Sequence, residues 1–186
     1  KSLINLSVSN THYISNVLRI REKQKLSIFN GFQGEWEGII KNLNKKKSLI
    51  LIDKQIKKQE EENLINIIYV PIKGHRNYYL IEKITELGVS NIYPIISEHS
   101  VIKKFNYKRA NTCAIAASQQ SGRLSVPKIH EFRSLKSILS SWNKKDQIIF
   151  CDETEKKFFF NDLFKSESKK KINTILIGPE GGFSLS

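Results

Sequence analysis

The stretch LINIIYVPI, residues 64–72, is an almost unbroken run of apolar and mostly β-branched residues. It does not alternate polar with apolar, so it reads as a strand buried on both faces, the kind found inside a parallel sheet. Nine interrupted residues are too few to cross a bilayer, which needs about 20. NIYPII (91–96), DQIIFCD (146–152) and INTILIG (172–178) have similar character. Between them lie helical patterns. In YYLIEKITELG (78–88), Leu80, Ile84 and Leu87 recur at helical spacing, and Gly88 stands where a left-handed cap belongs. YKRANTCAIAASQQSG (107–122) reads as a second helix. Strands alternating with helices predict an α/β domain with crossover connections and a mostly parallel sheet.

The first 55 residues have a different rhythm. KLSIF, a turn at NGFQGE, EWEGII and SLILID are short strand patterns, and Asn30-Gly31 is a strong hairpin signal because both residues tolerate positive φ. They predict a small β-barrel. KQIKKQEEEN (54–63) has no apolar face and mixes both charges, as a solvated connection does. The expected domains are therefore 1–63 and 64–186.

The formal net charge of +13 suggests a polyanionic partner, since Lys and Arg favour phosphate approach. Lysine is abundant throughout together with Ile and Asn, so part of this basicity is compositional. Against 25 Lys there are 6 Arg, and arginine is the more informative cation because its planar fork bonds phosphate or base edges bidentately. Cys113 and Cys151 lie far apart, and the four histidines (12, 75, 99 and 130) are scattered singly. No metal site is expected. No secretory leader pattern stands at the start, so the expectation is a soluble cytoplasmic protein without membrane attachment.

INTILIG delivers Gly178, Pro179, Glu180, Gly181 and Gly182 to the carboxyl end of a strand, where open α/β sheets bind ligands. The Lys-Ser/Thr pair of a P-loop is absent, and so is the glycine spacing of a dinucleotide fingerprint. Spacing alone leaves a tight turn and a ligand loop both open.

Four segments resemble one family, the bacterial small-subunit ribosomal RNA uridine-N3 methyltransferases called RsmE, in the SPOUT superfamily. HYISNVLRI (12–20) with LSIFNG is similar to the family's PUA-like RNA-binding barrel, and IEKITELGVSNIYPIISEHS (81–100) to its first methyltransferase helix and strand. AIAASQQSGRLSVPKI (114–129) resembles its Ala-rich helix and Val-Pro turn, and ILIGPEGGFS (175–184) its cofactor loop.

The resemblance implies S-adenosylmethionine as methyl donor, held by Ile177, Gly178, Pro179, Glu180, Gly181 and Gly182. It implies small-subunit ribosomal RNA or the assembled 30S subunit as substrate, and a homodimer. Uracil N3 lies on the Watson–Crick edge, so its base must be unpaired or flipped before reaction. The N3 proton must leave, and negative charge develops on the uracil carbonyls. Arg123 is the first catalytic candidate, as a cation that stabilises this charge, with a structural salt bridge as its alternative. Glu86 is a candidate carboxylate, or else a helix-face partner of Lys83. Gln120 is a candidate for the base edge, or else caps its helix. Arg19, Arg21, Lys23 and Arg76 are the expected RNA contacts.

The sequence departs from the family pattern at His99, where Arg is usual, and at Gln119, where Glu is usual. It also ends two residues after Ser184, where the family continues through a helix and a Leu-Gly-x-x-Ile-Leu-Arg segment. The expectation is an incomplete knot and weak donor binding by this 186-residue form. The alternative is a catalytically inactive RNA-binding remnant, and a third reading is a domain binding a phosphorylated nucleotide through the glycine loop.

Overall fold

The computed structural model describes residues 2–44, 48–60, 62, 64–97, 100, 102–143, 146–152, 172–179 and 182–183. The chain divides into two compact units, Lys1–Glu61 and Glu62–Ser186.

In the first unit, strands β1 (Leu3–Leu6), β2 (Lys25–Phe29), β3 (Glu35–Leu43) and β4 (Ser48–Lys57) form an antiparallel sheet in the order β1-β4-β3-β2. Asn30 Oδ1 accepts from the amides of Phe32 and Gln33, which turns the chain between β2 and β3 where the Asn-Gly signal stands. The β3–β4 ladder shifts register three times, and bulges of this kind bend a small sheet toward a barrel. Helix α1 (Val8–His12) continues as a π-helical turn, Tyr13–Val17, whose Ile14 packs on Ile40 and Ile50 to form the core. Strand β4 runs through Lys57, so residues 54–57, expected as connection, extend the sheet with exposed side chains.

The second unit is a three-layer α/β domain. Strands β5 (Asn66–Tyr69), β6 (Asn91–Ile96), β7 (Lys128–Ile129), β9 (Gln147–Cys151) and β10 (Ile172–Ile177) form a parallel sheet in the order β7-β6-β5-β10-β9. The two-residue β8 (Arg133–Ser134) pairs with the end of β6. β5 is buried at every position, Asn66 included, as its largely apolar run leads one to expect. Helices α2 (His75–Glu86) and α3 (Tyr107–Ser121) cover the face bearing Ile67, Tyr69 and Ile92. The other face, with Ile68, Val70, Ile95 and Leu176, packs on Ile138 of α4 (Leu135–Ser140).

Two details differ from the sequence reading. Leu87 is 79% exposed, because α2 ends at Glu86 and its core stripe is Asn77, Ile81, Ile84 and Thr85. Helix α4 carries no expectation from the sequence, although Leu135, Ile138 and Leu139 have helical spacing and Ser134 caps the helix by accepting from the Ser137 amide.

At the amino ends of the strands a chain of side-chain bonds crosses the sheet. The Thr174 hydroxyl donates to Asn173 Oδ1 and accepts from Asn66 Nδ2, while Asn66 Oδ1 accepts from Asn91 Nδ2. Asn91 Oδ1 then meets His130 Nε2 at 2.8 Å. Because the Asn91 oxygen can only accept, Nε2 carries the imidazole proton and Nδ1 is left as an acceptor.

Candidate active site

The strand order places a topological switch point at β5 and β10. From β5 the chain moves outward through β6 to β7, then returns on the far side so that β10 inserts between β5 and β9. Helices α2 and α3 lie on one face of the sheet and α4 on the other, and in open sheets of this kind the ligand crevice is expected beyond the carboxyl ends of the strands at the switch point, here β5 and β10. Two loops frame it.

The first follows β10. A Cβ at Gly178 would stand 3.0 Å from the Phe183 ring, closer than ordinary contact, so a side chain there would displace that ring. The amide of Gly182, at φ +71°, donates to the Pro179 carbonyl at 2.9 Å, and Phe183 anchors the turn against Phe150 and the core. Among the described residues of this turn, Gly178 and Gly182 have no side chain of their own to cover their main chain. Ile177 is exposed at the strand end, Gly178 and Pro179 are half-buried and Gly182 is exposed. Glu180 and Gly181, named with them from the sequence, lie outside the described residues, as does His99.

The second loop follows β5. Buried Asn77 organises it, with Oδ1 accepting from the Tyr69 hydroxyl at 3.1 Å and from the Ile72 amide at 3.3 Å. Burial raises the Tyr69 phenol well above its ordinary pKa, so it stays a neutral donor. Helix α2 starts at Gly74, which offers no side-chain cap. Arg76 is exposed in the first turn, on the same carboxyl edge as Gly178.

The structure does not gather Arg123, Glu86 and Gln120 around this crevice. All three sit at the opposite, amino-terminal edge, about one strand length or ~20 Å away at ~3.3 Å per residue. Helix α3 ends at Gly122 in a left-handed conformation, φ 69°, which turns Arg123 back toward α2. Its Nη1 donates to the carbonyls of Thr85 (2.9 Å) and Val89 (2.7 Å), Nη2 to Glu62 Oε2 (2.6 Å) and Nε to Ser125 Oγ (2.9 Å). The side chain is only 8% exposed. Burial pushes the Glu62 carboxyl up, but the hydrogen bonds from Arg123 and Ser125 and the guanidinium charge outweigh it, and the net direction is down. In this geometry Arg123 clamps the end of α2 to the entry of β5, which is the salt-bridge alternative weighed from the sequence.

Glu86 pairs with Lys83 at 3.0 Å, one turn back on α2. Hydrogen bonds to Glu82 and Glu86 raise the Lys83 ammonium above its ordinary range. Gln120 is exposed on the last turn of α3. Sequence reasoning did not single out Glu62 and Ser125. Ser125 stands two residues after Arg123, a visible signal, whereas Glu62 is 61 residues away and lies inside a charged run.

In the first unit Arg19, Arg21 and Lys23 are all exposed on the segment leading into β2. Arg19 (φ 55°) and Lys23 (φ 67°) are the only non-glycine residues with positive φ among those described. This conformation costs roughly 1–2 kcal/mol per residue. The Lys23 amide bonded to the Ile40 carbonyl and the Arg21 amide bonded to Gln24 Oε1 hold it. Strain that presents three cations at a surface is a pointer to function.

Comparison with known proteins agrees with this architecture. Residues 6–53 match the RNA methyltransferase PUA domain and residues 59–186 the RNA methyltransferase domain. Ribosomal RNA small subunit methyltransferase E of Buchnera aphidicola subsp. Schizaphis graminum is 34% identical over 193 residues, covering 98% of this chain and 76% of that protein. The Rickettsia conorii enzyme of the same name is 29% identical, covering 93% and 70%. A Legionella pneumophila protein solved with the bound cofactor SAM superposes with TM-score 0.82 at 26% identity, over 99% of this chain and 77% of that one. The Neisseria gonorrhoeae methyltransferase E bound to S-adenosyl methionine gives 0.79 at 22%, a likeness of fold. With a PUA unit and a methyltransferase unit in this order, and a glycine turn at the switch point of the second, the chain belongs to the RNA methyltransferase family that includes ribosomal RNA small subunit methyltransferase E.

Proposed function

We propose that this chain methylates a base of small-subunit ribosomal RNA with S-adenosylmethionine as donor, and that the base is a uracil modified at N3. The observation that carries the reading is the turn at Gly178–Gly182 on the carboxyl edge, between strands β5 and β9. The glycines of this turn suit a ligand that approaches main chain closely, and the residues fit a nucleoside donor on that ground. Ile177, Gly178, Pro179 and Gly182 would hold it, together with Glu180 and Gly181. The chemistry it supplies when bound is an electrophilic methyl group on a sulfonium centre.

The protein's own residues must then bind an unpaired uridine, exclude water and lower the cost of losing the N3 proton. Arg76 and the amides of the uncapped first turn of α2 face the same edge, where they would meet backbone phosphate. Arg19, Arg21 and Lys23 of the PUA unit would fix the RNA's register through further phosphate contacts. Arg123 acts in this reading as a positioning residue, holding α2 against the sheet, with Glu86 and Gln120 on the same remote edge. A homodimer and a cytoplasmic location complete the proposal.

The test has two readouts. Calorimetric titration with S-adenosylmethionine measures donor binding, and incubation with undermethylated 30S subunits followed by nucleoside mass spectrometry detects methyluridine. Donor binding, even weak, with 3-methyluridine formed supports the reading. A methyl group on another base or position would correct the finer assignment, and absence of donor binding would overturn the enzyme reading for this chain.

A further inference from the structure

On the face of the sheet that carries α4, remote from α2 and α3, a cavity of about 450 Å³ opens between β6, β7 and the end of α4. Its size lies within the usual range of ligand pockets, about 300–1,000 Å³. Three rings form it. Tyr93 and His130 are stacked, with centroids 3.9 Å apart and planes 13° from parallel, and Trp142 meets Tyr93 edge-on at 5.3 Å. Buried Ile138 adds apolar surface, and Lys128 and Arg133 stand exposed at the mouth. Among the described residues Arg133 has its neighbour Glu131 as ionic partner, both well exposed, so the guanidinium can exchange that contact for another. Lys128 and Arg133 outweigh Glu131 by one positive charge.

One polar feature adds to this lining. The imidazole of His130 is fixed as the Nε2–H tautomer by Asn91, which leaves Nδ1 as an acceptor. Burial, and next the Lys128 charge, lower its pKa, so the ring is neutral near pH 7. The indole N–H of Trp142 is shielded from solvent, so Trp142 offers the cavity its ring and not its N–H.

We propose that this cavity holds an unpaired base of the RNA, stacked among Tyr93, His130 and Trp142, with the adjoining phosphates on Lys128 and Arg133. Aromatic faces flanked by cations are how proteins hold single-stranded nucleic acid, because each base offers a π-face and its backbone a negative charge. A cluster binding phosphate alone would need cations without rings. This proposal rests on the RNA-methylating reading. It places a second nucleotide site two strand spacings from β10, about 10 Å at ~4.8 Å per strand, distinct from the one the donor loop serves.

The experiment follows anisotropy of a fluorescein-labelled ten-nucleotide oligouridylate on the 186-residue chain. Trp142→Ala is expected to bind it at least tenfold more weakly, and Trp142→Phe, which keeps a stacking face, within threefold of the parent. Lys128→Ser with Arg133→Ser, both at exposed positions and safe for folding, should weaken binding and flatten its salt dependence. In the parent chain the oligonucleotide should quench tryptophan fluorescence, a response absent from Trp142→Phe although Trp36 remains. Equal affinity of the parent, Trp142→Ala and the double serine variant would overturn the proposal, as would equal binding of a blunt RNA duplex, whose paired bases cannot enter. Should Trp142→Ala fail to fold, the serine variant and the quenching decide. S-adenosylmethionine titration of the same samples reports separately on the parent reading, and a loss of donor binding there leaves the oligonucleotide comparison intact.

Discussion

Replacing Arg123 by methionine tests whether this guanidinium holds the fold or performs chemistry. Methionine fills similar space without charge or donors, so it leaves the carbonyls of Thr85 and Val89 and the Glu62 carboxylate without the bonds of 2.6–2.9 Å that Arg123 provides. Hydrogen bonds to charged groups contribute about 1.5–3 kcal/mol each, and removing one member of a buried ion pair costs about 3–5 kcal/mol. The Glu62 side chain is 32% exposed, so water recovers part of the loss and the lower figure, ~3 kcal/mol, applies. For a unit of this size that corresponds to a fall in Tm of about 10 °C. Glu62→Gln should cost less, and the double variant should fall short of the sum by about 1 kcal/mol, the signature of a shared contact. The pair also has a pH signature. The folded Glu62 carboxyl sits below its ordinary value of 4.5, so its contribution is complete above that pH and is lost as pH falls through the folded value. Differential scanning calorimetry of the four proteins at pH 7 and pH 4 reads all of this. A Tm within 3 °C of the parent, or strict additivity with Glu62→Gln, would refute the clamp. If methyl transfer were lost at the same time, Arg123 would return to the catalytic role read from its motif.

Three further outcomes are expected. Gly178→Val drives a side chain into the Phe183 ring, 3.0 Å from the first added carbon. It should weaken S-adenosylmethionine binding at least tenfold by calorimetry while circular dichroism stays unchanged. Arg19→Gly removes a strained φ of 55° and should stabilise the PUA unit by roughly 1 kcal/mol, yet lower RNA affinity. Replacing Arg21 and Lys23 by serine as well should reduce the salt slope of RNA binding by about 2, at ~0.7 per phosphate contact on single strands. His130 is held below its ordinary pKa of 6.5 by burial and Lys128, with Glu131 and Arg133 at the same cavity. The unfolded chain therefore binds the proton first, and stability should fall as pH drops below 6.5, levelling once the folded imidazole is protonated; urea titrations of His130→Gln should show this slope flattened.

Much of the fold is legible residue by residue. The centre of the nearly unbroken apolar run at 64–72 calls for cover on both faces, and β5 is buried on both while Leu64 and Ile72 at the ends of the run are exposed. Gly88 and Gly122 end α2 and α3 with the left-handed backbone that their positions after a periodic run imply. The Asn30-Gly31 turn carries its own hydrogen bonds, so it needs no distant partner to be recognised. Leu87 shows the limit, because its spacing continues the α2 stripe but the helix stops one residue earlier and the side chain meets water.

The glycine turn and the motif arginine could be named from the sequence, but their separation could not. Local pattern records what each residue needs, such as burial, a positive φ or a cap, since those demands are met within a few neighbours. Strand order is a different kind of information. It decides that β10 inserts beside β5, that Gly178 and Arg123 occupy opposite edges of one sheet, and that Glu62 reaches an arginine 61 residues away. It also brings Tyr93, His130 and Trp142 to one cavity. Those contacts depend on which surfaces exclude water together, a property of the assembled layers that no short stretch of the chain contains.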